Sequence, residues 1–307
     1  MHNCFMNIEH VKALAAAVDE GTVEGAAFVL GITPSAASQR IRTLESRLGQ
    51  VLIRRSNPIT VTEAGQAVLR YAREVELLEA ETMDRLIDID APGRTDADRA
   101  GSGTAARIPT VLRIGVNADS MATWFRPIFA EAAGWDDIVI RIELADQDKA
   151  LGLLTSGEVL GTITSAQVGG YGTEVEWLGS MRYVAVATRH LLARHSTGAE
   201  VDLERMPMVN FGKDDDLQLS FLRREGVEVT PPMSVVPSSA DFATAVAAGV
   251  GWGMLPVLQL DELDDDLVQI PEARPIDVPL YWHHWKLASE KLARLTAALR
   301  RAAATMR

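Results

Sequence analysis

The sequence predicts a winged helix-turn-helix head on a long linker helix, followed by an α/β body divided into two lobes. Three observations carry that prediction. Residues 22–49 encode two helices around a glycine turn, residues 63–89 hold one uninterrupted helical pattern, and from Val111 onward strands and helices alternate.

At 307 residues the chain exceeds one typical domain, and a hydrophobic content of 47% is sufficient for sizeable cores. The single cysteine, Cys4, permits no intrachain disulfide and reads as an inert thiol in a reducing cytosol. The N-terminus lacks a charged segment followed by an apolar core, and no window is apolar for long enough to span a bilayer. A cytoplasmic chain without membrane attachment is the expectation. The net charge of −12 disfavours a polyanionic partner only if it is evenly spread. It is not: between Gly31 and Thr60 five arginines (Arg40, Arg42, Arg47, Arg54, Arg55) face one acid, Glu45, a local balance of +4. The acidity sits in Asp214-Asp215-Asp216 and between Asp261 and Asp266, runs that read as solvated loops and lack the ligand spacing of a calcium site.

In chain order, Asn7 caps a first helix to about Glu20, with Val11, Leu14, Ala17 and Val18 inward. Thr22 caps a second, whose Ala26, Ala27 and Leu30 form an apolar face that Gly31 ends. Thr33 caps a third, with Pro34 at its first position, where the missing N–H is harmless. In that third helix Ala37, Ile41, Leu44 and Leu48 face inward, leaving Ser35, Ser38, Gln39 and Arg42 on the other side. Short hydroxyl and amide groups near a helix N-terminus, followed by arginines, suit entry into a DNA major groove. Val51 to Ile53 and Ile59 to Val61 then form a small wing, whose Arg54 and Arg55 are placed to meet phosphates. Thr33, Ser35, Ser38, Gln39, Arg40, Arg42, Arg54 and Arg55 are the candidate DNA-contacting residues. An ordinary amphipathic helical hairpin is the bland alternative.

The helical stripe Ala67, Val68, Tyr71, Val75, Leu78, Thr82, Leu86 needs a partner. A helix of some 26 residues spans about 39 Å, more than a small head can cover. The same helix of a second copy, or the chain's own body, can supply it. Residues 90–110, rich in small and charged side chains, read as a flexible hinge. The expected division is a head at 1–62, a linker helix at 63–90, a hinge at 91–110 and a body at 111–307. Within the body, lobe I takes about 111–182 and 278–307, and lobe II about 183–277.

In the body, strands at 111–116, 138–144 and 160–164 alternate with helices at 120–133 and 149–157. A second set has strands at 183–187, 208–211, 233–236 and 253–255 with helices near 216–224 and 241–248, before a strand at 280–285 and a helix at 289–301. Such alternation implies a parallel sheet. Two α/β lobes joined by crossing strands would resemble periplasmic binding proteins, with a ligand in the cleft at the carboxyl ends of the strands. The loops expected there hold Asn117, Asp119 and Ser120, then Asp146, Thr164, Phe211, Ser238 and Asp241. Asp119 can hold an ammonium and Ser120 a carboxylate, or either can simply cap the helix. Carboxylates opposite a helix terminus suit a small zwitterion with an extra positive charge.

Nothing points to catalysis. Gly249-Val-Gly-Trp-Gly253 follows a helix and lacks dinucleotide-binding spacing, and no nucleophile elbow or phosphate loop occurs. His283 and His284 are strand neighbours on opposite faces, unable to share one metal easily, so aromatic packing of Trp282 and Trp285 is the better reading. No metal or cofactor is expected.

Ala26-Ala27, Thr33 to Gln39, Leu44-Glu45, Leu48-Gly49, Arg54-Arg55 and Thr62 to Gly65 together resemble the DNA-binding domain and linker helix of LysR-type transcriptional regulators. Asn117 to Trp124, Gly157 to Gly161, Pro237 to Phe242, Gly251 to Pro256 and Leu280 to Trp282 are similar to the LysG/ArgP branch of that family. The resemblance covers nearly the whole chain outside residues 1–6 and the hinge, which is longer than the family's usual linker. It implies a homodimer or homotetramer that binds promoter DNA, engages RNA polymerase, senses lysine, arginine or histidine and activates an amino-acid exporter gene. It also implies effector roles for Asp119, Ser120, Asp146 and Asp241. A LysR-type sensor of another metabolite remains open, as does a small-molecule binding protein whose N-terminal helices only dimerise.

Overall fold

Side-chain caps start all three helices of the head. Asn7 accepts the Glu9 N–H ahead of α1 (Ile8–Asp19), Thr22 that of Gly25 ahead of α2 (Val23–Val29), and Thr33 that of Ala36 ahead of α3 (Pro34–Leu48). Gly49, at φ 65°, ends α3 in the left-handed conformation. Val11, Leu14, Ile41 and Leu44 close the core, and the wing strands β1 (Ile53–Arg54) and β2 (Thr60–Val61) pair antiparallel beside it. The computed structural model describes residues 6–90, 109–145, 147–198, 200–212, 215–260 and 266–306. Cys4, the hinge residues 91–108 and most of the 261–266 acidic run therefore lie outside the described residues.

One helix, α4 (Glu63–Asp90), leaves the head and runs along the body. The predicted stripe divides. Val68 is buried with Leu69, Ala72 and Leu77, Tyr71 and Val75 are half-buried, and Ala67, Leu78, Thr82 and Leu86 are exposed. The buried face is bonded to the chain's own body. Glu81 Oε1 accepts the Ser289 hydroxyl at 2.5 Å and the Lys291 N–H at 3.1 Å. Arg70 donates to the carbonyls of Tyr171 and Gly172 and lies over the Trp285 ring at 5.1 Å. The opposite face shows Leu78, Met83, Leu86 and Ile89 to solvent.

The body opens with β3 (Thr110–Val116), α5 (Ala118–Ala122), α6 (Pro127–Ala132), β4 (Ile138–Leu144), α7 (Gln147–Ser156) and β5 (Gly161–Thr164). The helix predicted at 120–133 is thus two short ones. Thr123 leaves helical geometry at φ −125°, ψ −108°, and Pro127 restarts the helix where it needs no N–H donor. The long strand β6 (Thr173–Thr188) follows, with α8 (Arg189–Arg194), the hairpin β7 (Ser196–Thr197) and β8 (Glu200–Val201), and β9 (Met208–Asn210). Next come α9 (Leu217–Arg224), β10 (Met233–Val235), α10 (Ser239–Ala247), β11 (Gly253–Pro256), α11 (Val257–Leu260) and β12 (Leu267–Gln269). The chain closes with β13 (Ile276–Trp285) and α12 (Glu290–Ala303).

The main sheet has seven strands in the order β11-β6-β13-β5-β3-β4, with β12 also on β6. In the second lobe β9 and β10 pair parallel as a separate ribbon. In the main sheet the expected parallel pairing holds for β3 with its neighbours β4 and β5, and the other pairs are antiparallel. The reason is β6 and β13, which run antiparallel through both lobes with a bulge at Leu280/Tyr281 and carry the chain from one lobe to the other and back. Leu112, Ile114, Ile163, Trp282, Trp285 and Leu295 belong to the larger core, while Val184, Val209, Phe242, Val246 and Leu255 fill a smaller one in the second lobe. No helix among the described residues is long and apolar enough to cross a membrane.

Candidate functional site

Where β3 ends, the chain turns at Asn117, whose side chain accepts the Ser120 N–H and starts α5. That cap aims Asp119 into a cavity of about 560 Å³ between the lobes. Its walls come from the carboxyl ends of strands and the starts of helices: Phe211 after β9, Asp215 and Gln218 around the start of α9, Ser239 at the start of α10, Pro256 on β11 and Gln259 on α11. Tyr183, where β6 crosses between lobes, lines it too.

Asp119 organises one end. Its Oδ2 accepts the Tyr183 hydroxyl at 2.7 Å and its Oδ1 the Ser239 hydroxyl at 2.6 Å, so a lobe I carboxylate is held by the crossing strand and by lobe II. Burial, and then the charge of Asp119, push the Tyr183 phenol well above its ordinary value and keep it a donor. At the other end the Leu217 N–H reaches Asp215 Oδ1 at 3.1 Å and the Phe211 N–H reaches Oδ2 at 3.3 Å. Burial raises the Asp215 carboxyl; those backbone donors pull it down and the charge of Asp119 raises it further, with a net upward shift. Asp215 is thus no solvated loop residue, as its acidic run suggested. The third acid, Asp216, is paired with Arg223. Among the described residues lining the cavity there is no lysine, arginine or histidine. Such a site attracts a cation and offers it hydroxyl and amide oxygens.

The structure sorts the sequence candidates. Asn117, Asp119 and Phe211 line the cavity. Ser120 is fully buried beside it, and its hydroxyl accepts the Trp124 indole N–H at 3.0 Å. Thr164 is buried with its hydroxyl turned to the Ala166 N–H. Ser238 caps α10, and Asp241 sits exposed in that helix's first turn, away from the cavity. The four leave the cavity wall for different reasons: Ser238 is used to cap a helix, Ser120 and Thr164 are buried with their hydroxyls accepting from Trp124 and Ala166, and Asp241 faces solvent. Asp146 lies outside the described residues. Tyr183, Asp215, Gln218, Ser239 and Gln259 escaped sequence reasoning. Only Ser239 carried a signal that could have found it, since it lies inside the turn from Pro237 to Asp241 expected at the cleft.

The head presents a second surface. Ser35, Gln39 and Arg42 are exposed on the outer face of α3, and Ser38 is half-buried. Thr33 is occupied as the cap and bonds the Ser35 hydroxyl at 3.0 Å. Arg54 and Arg55 are exposed at the wing, beside Leu52, whose N–H donates to Glu45 Oε1 at 2.9 Å and so ties wing to helix. Arg40 departs from expectation: its guanidinium donates to Glu9 at 3.1 Å, turned toward α1.

One group of metal-ligating type occurs among the described residues, Glu174, Glu176 and His284. Arg300 already grips Glu176 with two hydrogen bonds of 2.7 and 2.6 Å, and Lys286 approaches Glu174 at 3.7 Å. Trp282 stacks on His284 at 5.7 Å. The group is an ion-pair network against an aromatic core.

Comparison with known proteins covers both regions. Residues 8–66 match the bacterial regulatory helix-turn-helix proteins of the lysR family, and residues 106–304 match the LysR substrate binding domain. The lysine export transcriptional regulatory protein LysG of Corynebacterium efficiens is 41% identical over 298 residues, spanning 96% of this chain and 97% of its own. Among solved structures, full-length LysG of Corynebacterium glutamicum with bound effector Arg superposes with a TM-score of 0.74 at 38% identity, covering 98% of this chain and 99% of that one. ArgP of Mycobacterium tuberculosis superposes with a TM-score of 0.76 at 37% identity, covering 96% of each chain.

Proposed function

The chain belongs to the LysR family of DNA-binding transcriptional regulators, and from that premise we propose that its cleft senses a basic amino acid and that binding activates an amino-acid exporter gene. It is a regulator, not an enzyme. The observation that carries the effector reading is the charge of the cleft: Asp119, Asp215 and Asp216 line it with no basic side chain among the described lining residues. An anionic effector would meet the like charge of Asp119 and Asp215 there, since Asp216 is already paired with Arg223; lysine, arginine or histidine brings the opposite charge. LysG of C. glutamicum, with bound Arg, supports the same class.

On this reading Asn117, Asp119 and Phe211 meet the effector. Ser35, Ser38, Gln39 and Arg42 enter the major groove of promoter DNA, while Arg54 and Arg55 hold phosphates. Thr33 and Arg40 shape the motif more than they contact bases. The division into a head at 1–62, a linker helix at 63–90, a hinge at 91–110 and an effector domain at 111–307 belongs to the same proposal. The exposed Leu78, Met83, Leu86 and Ile89 of α4 suit a second copy of the helix, giving a homodimer or a homotetramer. RNA polymerase is the downstream partner and the cytoplasm, where the promoter lies, the site of action.

The joint between halves is visible. Asp19 of α1 binds Arg73 of α4 and, at 2.6 Å, Arg113 of β3, the strand that runs into Asn117 and Asp119. Lobe closure on an effector acts on the same strand as the head. It shifts the population of head arrangements and with it the bending of bound DNA.

Calorimetric titration of the full-length protein with the twenty amino acids, paired with a gel shift on its own upstream region, tests the proposal. Selective binding of basic amino acids and a shifted band are expected. Binding of an organic acid instead refutes the effector assignment, and absence of a shift at low salt refutes the promoter-binding role.

A further inference from the structure

We propose that a second cavity, at the joint between the head, the linker helix and lobe I, is a binding site for a small monocarboxylate with an apolar body. It lies toward the opposite end of β3 from the cleft, and it stands whatever the cleft binds.

The cavity holds about 620 Å³, a size suited to a small molecule. Its walls come from α1 and α2 of the head, from α4, and from β3, β4 and the turn before β5. One side is apolar, made by Leu77, Ala80, Met83 and Ile87 of α4 with Val111 and Leu160 of the body.

The other side carries guanidiniums. Arg113 and Arg141 are register partners on the parallel strands β3 and β4, so their side chains leave the same face of the sheet. Arg73 of α4 lines the cavity with them. Two acids answer these three cations: Asp19 binds Arg73 and, at 2.6 Å, Arg113, while Glu76 reaches Arg73 at 3.2 Å. Arg141 has no hydrogen bond or ion pair among the described residues. Burial, and then the charge of Arg73, lower the Arg113 guanidinium; Asp19 raises it, Arg141 lowers it again, and the net shift is downward. Arg73 Nε, buried, also lacks an acceptor among the described residues. The cluster is one negative charge short.

The remaining acids of the lining do not fill that place. Glu79 pairs with Lys12 at 2.7 Å and Asp84 with Lys291 at 2.7 Å. Glu158, ahead of β5, takes the Ser156 hydroxyl at 2.7 Å and has β3 between itself and the strand of Arg141. Glu20 is exposed. A carboxylate is flat and singly charged and matches the fork of a guanidinium, so it meets Arg113 and Arg141 while its apolar body covers the α4 side. A basic amino acid would bring a further cation to a cluster already rich in them. Because head, linker helix and lobe I each supply walls, the ligand bears directly on how the head is placed.

The test is calorimetric titration of the full-length protein with hexanoate, octanoate, phenylacetate and 4-phenylbutyrate, each against its neutral amide. At least one acid is expected to bind about tenfold more tightly than its amide, the scale of a hydrogen-bonded charge pair. In Arg141→Ala, which breaks no hydrogen bond or ion pair among the described residues, that acid is expected to fall to the level of its amide while the melting temperature stays that of wild type. Ala80→Trp, which fills the apolar side without touching a charge, is expected to abolish binding of both. A panel in which no acid outbinds its amide, as when the helix of a second copy occupies the cavity, overturns the site. So does an Arg141→Ala protein that keeps the preference, or an Ala80→Trp protein that binds as wild type does.

Discussion

Asp19 is the residue whose removal most directly probes how the head is joined to the body. Its Oδ1 accepts from Arg73 and its Oδ2 from Arg113 at 2.6 Å. The Arg73 side chain is 4% exposed, that of Arg113 is 13% exposed and that of Asp19 15%. Replacing Asp19 by alanine leaves two guanidiniums facing each other in a poorly hydrated joint. Arg73 retains Glu76 at 3.2 Å, so the loss is not total. Breaking a buried pair from one side costs about 3–5 kcal/mol, and the retained Glu76 places this case at about 3. For domains of this size each kcal/mol moves the melting temperature by about 2–4 °C, so the expected drop is about 6–12 °C. Thermal melts of full-length wild type and Asp19→Ala at low and high salt provide the assay. The drop should persist in high salt, since little solvent reaches the pair. A change of less than about 2 °C would refute the energetic reasoning. A second readout is the effect of effector on DNA affinity. If Asp19→Ala folds and that effect is undiminished, the joint does not transmit the signal.

Four further outcomes follow from the same geometry. Burial pushes the Asp137 carboxyl up, but the hydrogen bond and charge of Arg294, with Lys291, bring it below its ordinary 3.8. A carboxyl lowered in the folded state contributes stability above the ordinary value and loses it as pH falls through the folded one. The stability difference between wild type and Arg294→Ala should therefore shrink in acid melts below about pH 4, and a constant difference down to about pH 2 would contradict it. In the head, Arg54→Ala and Arg55→Ala should each reduce the slope of log affinity against log salt by about 0.9 for each phosphate left without its arginine, measured by fluorescence anisotropy. Gly65→Ala should destabilise by about 1–3 kcal/mol in denaturant melts, because the new Cβ would lie 1.9 Å from the Leu52 carbonyl oxygen. Gly152→Ala, in α7 with nothing within 4 Å of a new Cβ, should instead be neutral or stabilise by up to about 1 kcal/mol.

Local chemistry determined the head from sequence alone. Thr22, Thr33 and Gly49 act within a few residues of themselves, and the apolar positions Ala37, Ile41 and Leu44 repeat at helical spacing, so each element can be read without knowing its neighbours. The strands of the body were legible for the same reason wherever they run apolar. The first half of β6 was not, because Glu174 and Glu176 break its apolar run, and Glu176 is held by Arg300 and by a contact with His284 at 3.4 Å, both from distant parts of the chain. The cleft shows the limit most clearly. Asn117 and Asp119 follow a strand and announced themselves, whereas Ser120, Thr164, Ser238 and Asp241 looked equivalent and turned out to cap, bury or face solvent. Tyr183, Asp215 and Gln218 reach the same cavity only because β6 and β13 bring the second lobe against the first. A hydrogen bond spanning 120 residues, such as that from Ser239 to Asp119, leaves no local periodicity. Sequence determined what each segment can form by itself; tertiary structure alone decided which polar groups, far apart along the chain, share one cavity between the lobes.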